Sequence, residues 1–237
     1  MTWLSRICFS AALASQGVAA TVSGSVQLAD SRDPNVRRKS DYSGVVVWLE
    51  RPGAPPVVSD RTATIVQKQK RFVPHVIAIP VGATVNFPNL DPIFHNAFSN
   101  FAGQPFDVGL YPPGTSQKVR FVREGVVRVF CNIHPAMSAV IVVAPTRYIA
   151  VSAKGGGFSI PDVEPGEYRL HVFHERSSEQ TLRALERRVT VDRAAVTLPP
   201  MPVSESGYIE PPHKNKYGVD YPPVIEDRAI YPAGRNP

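Results

Sequence analysis

The chain has 237 residues, of which 43% are apolar, and carries a formal charge of +6 with a pI of about 9.5. This length allows one or two domains, and the apolar share is enough to build packed cores, which excludes a wholly disordered chain. The basic balance suits steering toward an acidic partner or simple solubility; nucleic acid is disfavoured, because no aromatic-interleaved basic stripe accompanies the Arg37-Arg-Lys39 and Arg187-Arg188 clusters.

The N-terminus opens with Met1-Thr-Trp-Leu-Ser-Arg6, continues as a short apolar run over 7–14 and closes on the small residues Ala19 and Ala20. A basic start, a short apolar stretch and a small-residue cleavage site read as a secretory signal over 1–20, with the mature chain starting near Thr21. The run is too short to span a bilayer, and no later stretch approaches the roughly 20 apolar residues a spanning helix needs. The expected product is exported, periplasmic or secreted, with no membrane span. Only Cys8 and Cys131 occur, and Cys8 leaves with the signal, so no intramolecular disulfide forms. A lone thiol kept in an oxidising compartment is well served by metal ligation, which protects the sulfur while using it.

From Thr21 onward helical periodicity is scarce, 24 Pro and 16 Gly punctuate the chain, and short runs of Val, Ile and Phe recur between turn residues. This is the pattern of an all-β protein. Strands are expected over 22–26 and 45–49, ahead of a Pro-rich link at 51–56. A second series is expected over 64–67, 76–80, 84–87, 118–121, 126–131 and 139–143, with turns at Val81-Gly82 and Arg123-Glu-Gly125. The alternation of Val127, Val129 and Cys131 points the thiol the same way as two apolar side chains. One helix is expected, over 179–188.

The stretch that begins Val126-Val-Arg-Val-Phe-Cys131 and continues Asn-Ile-His134-Pro-Ala-Met137 places a thiolate, an imidazole and a thioether at metal-ligand spacing just past a strand. Taken singly, a strand cysteine is usually a small buried hydrophobe and a methionine usually packing. Together they match three parts of a His₂Cys trigonal set with a weak axial Met, and His95, in Asp91-Pro-Ile-Phe-His-Asn96, supplies the remaining histidine. At these residues, and over about 62–145, the chain resembles the cupredoxin family of small blue copper proteins, with a short, amicyanin/plastocyanin-like ligand loop. The resemblance implies one type 1 copper ion held by His95, Cys131, His134 and Met137. It also implies that Asn96 ties the two ligand loops by hydrogen bonds.

Past Pro145 the chain resembles a carboxypeptidase regulatory-like, transthyretin-type β-sandwich: a glycine turn at Gly155-Gly-Gly157, the Phe158-Ser-Ile160 strand and the Pro165-Gly-Glu-Tyr168 hairpin occur in order. Its usual opening strands stand instead at Gly24-Ser-Val26 and Val45-Val-Val-Trp-Leu49. The expected architecture is therefore a cupredoxin Greek-key sandwich (62–145) inserted in, or preceding, a smaller Ig/transthyretin-like sandwich built from 21–56 and 147–198. Residues 199–237, rich in Pro, Tyr and charge, are expected to form no core of their own and to be a mobile tail or a strap.

The expectation is an exported, non-enzymatic blue copper protein that carries single electrons to or from a redox partner protein, the basic balance favouring an acidic one. Pro92, Ile93, Phe94, Pro135 and Ala136 would surround the exposed edge of His134 as a docking patch. Copper storage, delivery or sensing is the rival, and its usual Met-rich or multi-His segments are absent from a chain with three Met. A third reading makes the sandwich an envelope-binding module with a structural copper. A single thiol excludes a dinuclear copper-A site, and six His without a His-x-His pair disfavour a trinuclear cluster. His75, at the start of the strand that runs antiparallel to the one leading to His95, is expected near the copper end as an outer-shell residue. His171 and His174, three apart, should face opposite sides of their strand, and His213 should be solvated in the tail.

Overall fold

A computed structural model of the protein describes residues 19–100, 103–209 and 213–222. The expected signal up to Val18, Cys8 with it, and residues 210–212 and 223–237 of the expected tail lie outside the described residues. In chain order the elements are β1 (Ala20–Ala29), α1 (Pro34–Lys39), β2 (Val46–Glu50), β3 (Thr62–Thr64), β4 (Val66–Gln67), β5 (Phe72–Val73), β6 (Val76–Pro80), β7 (Thr84–Pro88), β8 (Phe98–Ser99), β9 (Phe106–Asp107), β10 (Ser116–Arg120), β11 (Gly125–Phe130) and β12 (Ser138–Ala144). They continue as β13 (Ile149–Val151), β14 (Gly157–Val163), β15 (Gly166–Phe173), α2 (Glu179–Ala184), β16 (Arg187–Val191), β17 (Val196–Thr197) and β18 (Met201–Ser204). Among the described residues the chain is all-β with two short helices, and no helix there is long and apolar enough to cross a membrane.

Two cores form. β1 pairs antiparallel with β14, Val22 lying opposite Ile160, and parallel with β17 and β18. A facing sheet in the order β13-β2-β15-β16 closes over Val22, Val26, Val47, Leu49, Ile160, Leu170 and Val203. Between β2 and β13 the chain builds the sheets β10-β7-β3 and β6-β12-β11-β8-β9, around Val85, Phe87, Phe121, Val127, Val129 and Ile141, together with the two-stranded β4-β5. The chain leaves the first body after β2 and returns beside its point of departure, since Ile149 pairs with Trp48 and the Val57 N–H donates to the Pro145 carbonyl.

The two bodies share a dry contact. Val46 of β2 packs with Val140 and Val142 of β12, flanked by Trp48, Val76, Ala78, Val126, Ile149 and Phe173. This explains the unbroken apolar runs of β2 and β12, because each strand buries both of its faces. On β12, Ala139, Ile141 and Val143 enter one core while Val140 and Val142 enter the contact. Burial stabilises each such valine by about 1.5–3 kcal/mol.

Several expectations are corrected here. The helix expected over 179–188 stops at Ala184, because Val189 and Val191 alternate into the first core as β16, opposite Tyr168 and Gly166. The charged loop before β2 contains α1, capped by the Asp33 carboxylate on the Asn35 N–H and opened by Pro34. The strand expected over 64–67 is broken at Ile65, and Ala20, assigned to the signal, is a buried β1 residue opposite Val163. Met201–Ser204 is not tail, since Met201 and Val203 are core residues of the first body.

β6 and β12 run parallel, with Val76 opposite Val140, so the residues before both strands gather at one end. The turn after β6 reverses the chain through Gly82 at φ +86°, where a Cβ would stand 2.8 Å from the Ser59 carbonyl, so only glycine fits. β7 then returns toward the loop that carries His95.

Candidate metal centre

Cys131 follows the last residue of β11 and is fully buried, in the same core cluster as Val127, Val129 and the fully buried Met137. The loop between β11 and β12 is tied to itself: the Cys131 N–H donates to the Met137 carbonyl (3.2 Å) and the Met137 N–H to the His134 carbonyl (3.0 Å). His95 is held from the other side by a two-way backbone bridge with Tyr111, at 3.2 and 2.9 Å.

These constraints bring three donors together. Cys131 Sγ lies 3.9 Å from His95 Nδ1 and 3.7 Å from His134 Nδ1, and all three ligand atoms lie within 4.8 Å of one another. Metal–nitrogen and metal–sulfur bonds of about 2.05 and 2.3 Å at a trigonal angle set the donors about 3.8 Å apart, against about 3.6 Å for a tetrahedral angle. The observed spacing of 3.7 and 3.9 Å is that of donors able to share a metal ion. Burial pushes the Cys131 thiol above its ordinary value, against the opposing pull of the Ile133, Asn96 and His134 N–H groups aimed at the sulfur. A bound cation would displace that proton.

The second nitrogen of His95 exposes what sequence reasoning missed. Its Nε2–H donates to Asp91 Oδ2 at 2.8 Å, with the imidazole fully buried and the carboxylate nearly so. The carboxylate also accepts the Gln69 and Lys70 N–H groups at 2.5 and 2.8 Å. Burial raises the Asp91 carboxyl, yet the N–H donors of Lys70, His95 and Gln69 outweigh it and hold the group below its ordinary value. Gln69 and Lys70 both adopt left-handed conformations, with φ of 54°, in the turn between β4 and β5. That costs roughly 1–2 kcal/mol per residue. The strain aims two consecutive N–H groups at Asp91, which fixes the His95 tautomer and leaves Nδ1 facing the site. The available signal was an acid four residues before the histidine.

Asn96 turns its backbone N–H to the Cys131 sulfur, while its side-chain Nδ2 donates to Asp107 Oδ1 (2.8 Å) and to the Gly109 carbonyl (2.9 Å) and not to the Cys131 loop. Of the expected docking patch, Ile93 is buried at 9% exposure, pulled inward where its carbonyl accepts the Asn89 amide, while Pro92, Phe94 and Ala136 are exposed. His213 is not solvated: its ring stacks on Phe130 at 4.1 Å and its Nε2–H donates to the Pro135 carbonyl. His171 stacks on Trp48, whereas His174, one residue past β15, is buried against Glu205.

His75 stands just before β6, and its Nδ1–H donates to the carbonyl of Ser138, the residue after Met137. Its Nε2 meets Glu175 of the first body at 2.9 Å. The hydrogen bond to Glu175 raises the His75 pKa above its ordinary value of 6.5; burial raises the Glu175 carboxyl, but His75, Arg176 and His174 together outweigh it and hold the group below 4.5. A histidine raised on folding adds stability that is complete below pH 6.5 and fades as pH climbs through the folded value. The carboxylate's share is present above 4.5 and fades as pH falls through its lowered folded value. Wild type should therefore exceed Glu175→Gln in denaturation midpoint most clearly between these limits and converge with it at alkaline pH. A pH-independent difference would show that the pair does not act through its charge.

No known family profile matches the chain, and no curated protein matches it. Among solved structures it is similar to a purple cupredoxin from Nitrosopumilus maritimus, at 26% identity over 35% of this chain and 99% of that one, with a TM-score of 0.32. It is also similar to a reduced single-residue variant of amicyanin, at 17% identity over 41% of this chain and 98% of that one, with a TM-score of 0.34. A copper-containing nitrite reductase from Thermus scotoductus SA-01 is similar at 25% identity over 50% of this chain and 28% of that one, with a TM-score of 0.34.

Proposed function

We propose that the chain is an exported electron carrier that binds one type 1 copper ion. The observation that carries this reading is the buried Nδ1–Sγ–Nδ1 triangle at 3.9 and 3.7 Å, whose donors suit copper in both of its common oxidation states. His95, Cys131 and His134 would hold the ion in a plane, with Met137 as the weak axial ligand, and copper would supply a reversible one-electron couple.

The chain's own groups suit that task. A donor set held by two sheets and by Asp91 would resist rearrangement between oxidation states, and with Met137 as the fourth ligand no position would stay open for substrate. His134 is only partly buried, while Phe94 (41% exposed), Leu110 (55%) and Ile133 (37%) flank the ligand positions as apolar surface. This surface would seat a redox partner protein, with the net charge of +6 favouring an acidic one.

Copper-loaded protein should show intense visible absorption that one-electron reduction bleaches and reoxidation restores. Colourless copper binding, or binding of zinc alone, would refute the assignment. Copper handed to a chelator faster than electrons are exchanged would favour delivery over electron transfer.

A further inference from the structure

The segment 213–222 has no place in the four-ligand account, yet it lies across the ligand loop. Asn215, 8% exposed, folds the segment on itself: its Oδ1 accepts the Tyr217 and Val219 N–H groups, and its N–H donates to the Val219 carbonyl at 3.0 Å. The ordered turn then makes contacts along the loop. Tyr221 O–H donates to the carbonyl of Cys131 at 2.9 Å, the Lys216 N–H to Asn132 Oδ1 at 3.0 Å, and His213 Nε2–H to the Pro135 carbonyl at 2.8 Å. The His213 ring is packed between Phe130 and Tyr221.

The same segment also reaches the other ligand loop. Lys216 Nζ binds Asp107 Oδ2 at 2.8 Å, and the other oxygen of that carboxylate accepts the Asn96 amide at 2.8 Å. Asn96 follows His95, and its N–H is aimed at the Cys131 sulfur. A continuous path therefore runs from Asn96 through Asp107 and Lys216 to Asn132. Asn96 makes no direct side-chain bond to the Cys131 loop, so this path supplies a cross-link between the loops that bear His95 and Cys131.

We infer that residues 213–222 are part of the metal centre, with Lys216 and Tyr221 as positioning residues that hold the two ligand loops in register. The inference rests on the metal-centre reading above for its purpose and on the hydrogen bonds for its mechanism. Charge-assisted and neutral hydrogen bonds that persist across a loop limit its opening, and outer groups that orient ligands tune the ion they hold.

The test uses the full chain carrying Tyr221→Phe, which removes only the O–H, and Lys216→Met, which removes the charge and keeps the stem. In metal-free protein, modification of the Cys131 thiol by an aromatic disulfide reagent should be about tenfold faster in the double variant, the scale of losing one part-exposed ion pair and one neutral hydrogen bond from a loop-opening equilibrium. Lys216→Arg should recover most of the Lys216 part. In copper-loaded protein the double variant should shift both the visible band and the reduction potential, which a merely structural contact far from the ion would not move. Thiol rates within twofold of wild type, with band and potential unchanged, would overturn the inference. Because the thiol measurement needs no metal, it reads the cross-link even if the copper assignment fails.

Discussion

Cys131→Ser is expected to remove the visible absorption of the copper-loaded protein completely, while the chain remains folded. The absorption requires a thiolate donating charge to the metal, and Cys131 is the only cysteine outside the expected signal. No other sulfur at the site can replace it, because a thioether such as Met137 is a neutral, weak donor. Folding should survive for a local reason. The Ile133, Asn96 and His134 N–H groups that face the sulfur would face a hydroxyl oxygen, so the substitution leaves buried donors with an acceptor. Absorption titration with copper, set beside a thermal melt of the metal-free variant, separates the two effects. A coloured serine variant would remove Cys131 from the site, and an unfolded one would show that the sulfur is needed for packing as well as ligation.

The cluster of His95, Cys131 and His134 was legible because its signal is chemical and local. Cys131, His134 and Met137 lie within seven residues, and the alternation of Val127 and Val129 already points the thiol inward. The strands that face one core were legible for the same reason, through periodicity. What escaped is carried by contacts between segments far apart in sequence. Asp91 acts on His95 because a turn some twenty residues earlier folds onto it, and two non-glycine residues with positive φ announce nothing in composition. His213, Lys216 and Tyr221 meet the ligand loop from across about eighty residues, through polar atoms in a stretch with no apolar period. Local patterns also misled where two were superimposed: Glu179 to Arg183 does suit a helix, but Val189 and Val191 obey a strand period that pairing with β15 enforces. The Asp33-Pro34 pair was a readable helix start, obscured by the brevity of α1.

Asp91→Asn should weaken metal binding by about 10–100-fold, the usual effect of removing an outer group that orients a ligating histidine. The carboxylate accepts three N–H groups, from Gln69, Lys70 and His95, and an amide cannot reproduce this. With its oxygen turned to Lys70 and His95, the amide presents its own NH₂ to the Gln69 N–H; turned the other way, it presents NH₂ to two donors. At least one part-buried donor loses its acceptor in either case, at a cost of about 0.5–1.5 kcal/mol. The left-handed turn at Gln69 and Lys70 then loses the interaction that offsets its strain and relaxes away. In the flipped orientation His95 loses the acceptor that fixes its tautomer, and the form carrying hydrogen on Nδ1 becomes accessible and competes directly with the metal. Competition against a copper chelator reads the affinity, and nitrogen chemical shifts of the metal-free imidazole read the tautomer. An affinity within twofold of wild type, with Nε2–H still dominant, would show that the negative charge of Asp91 is not needed to orient His95.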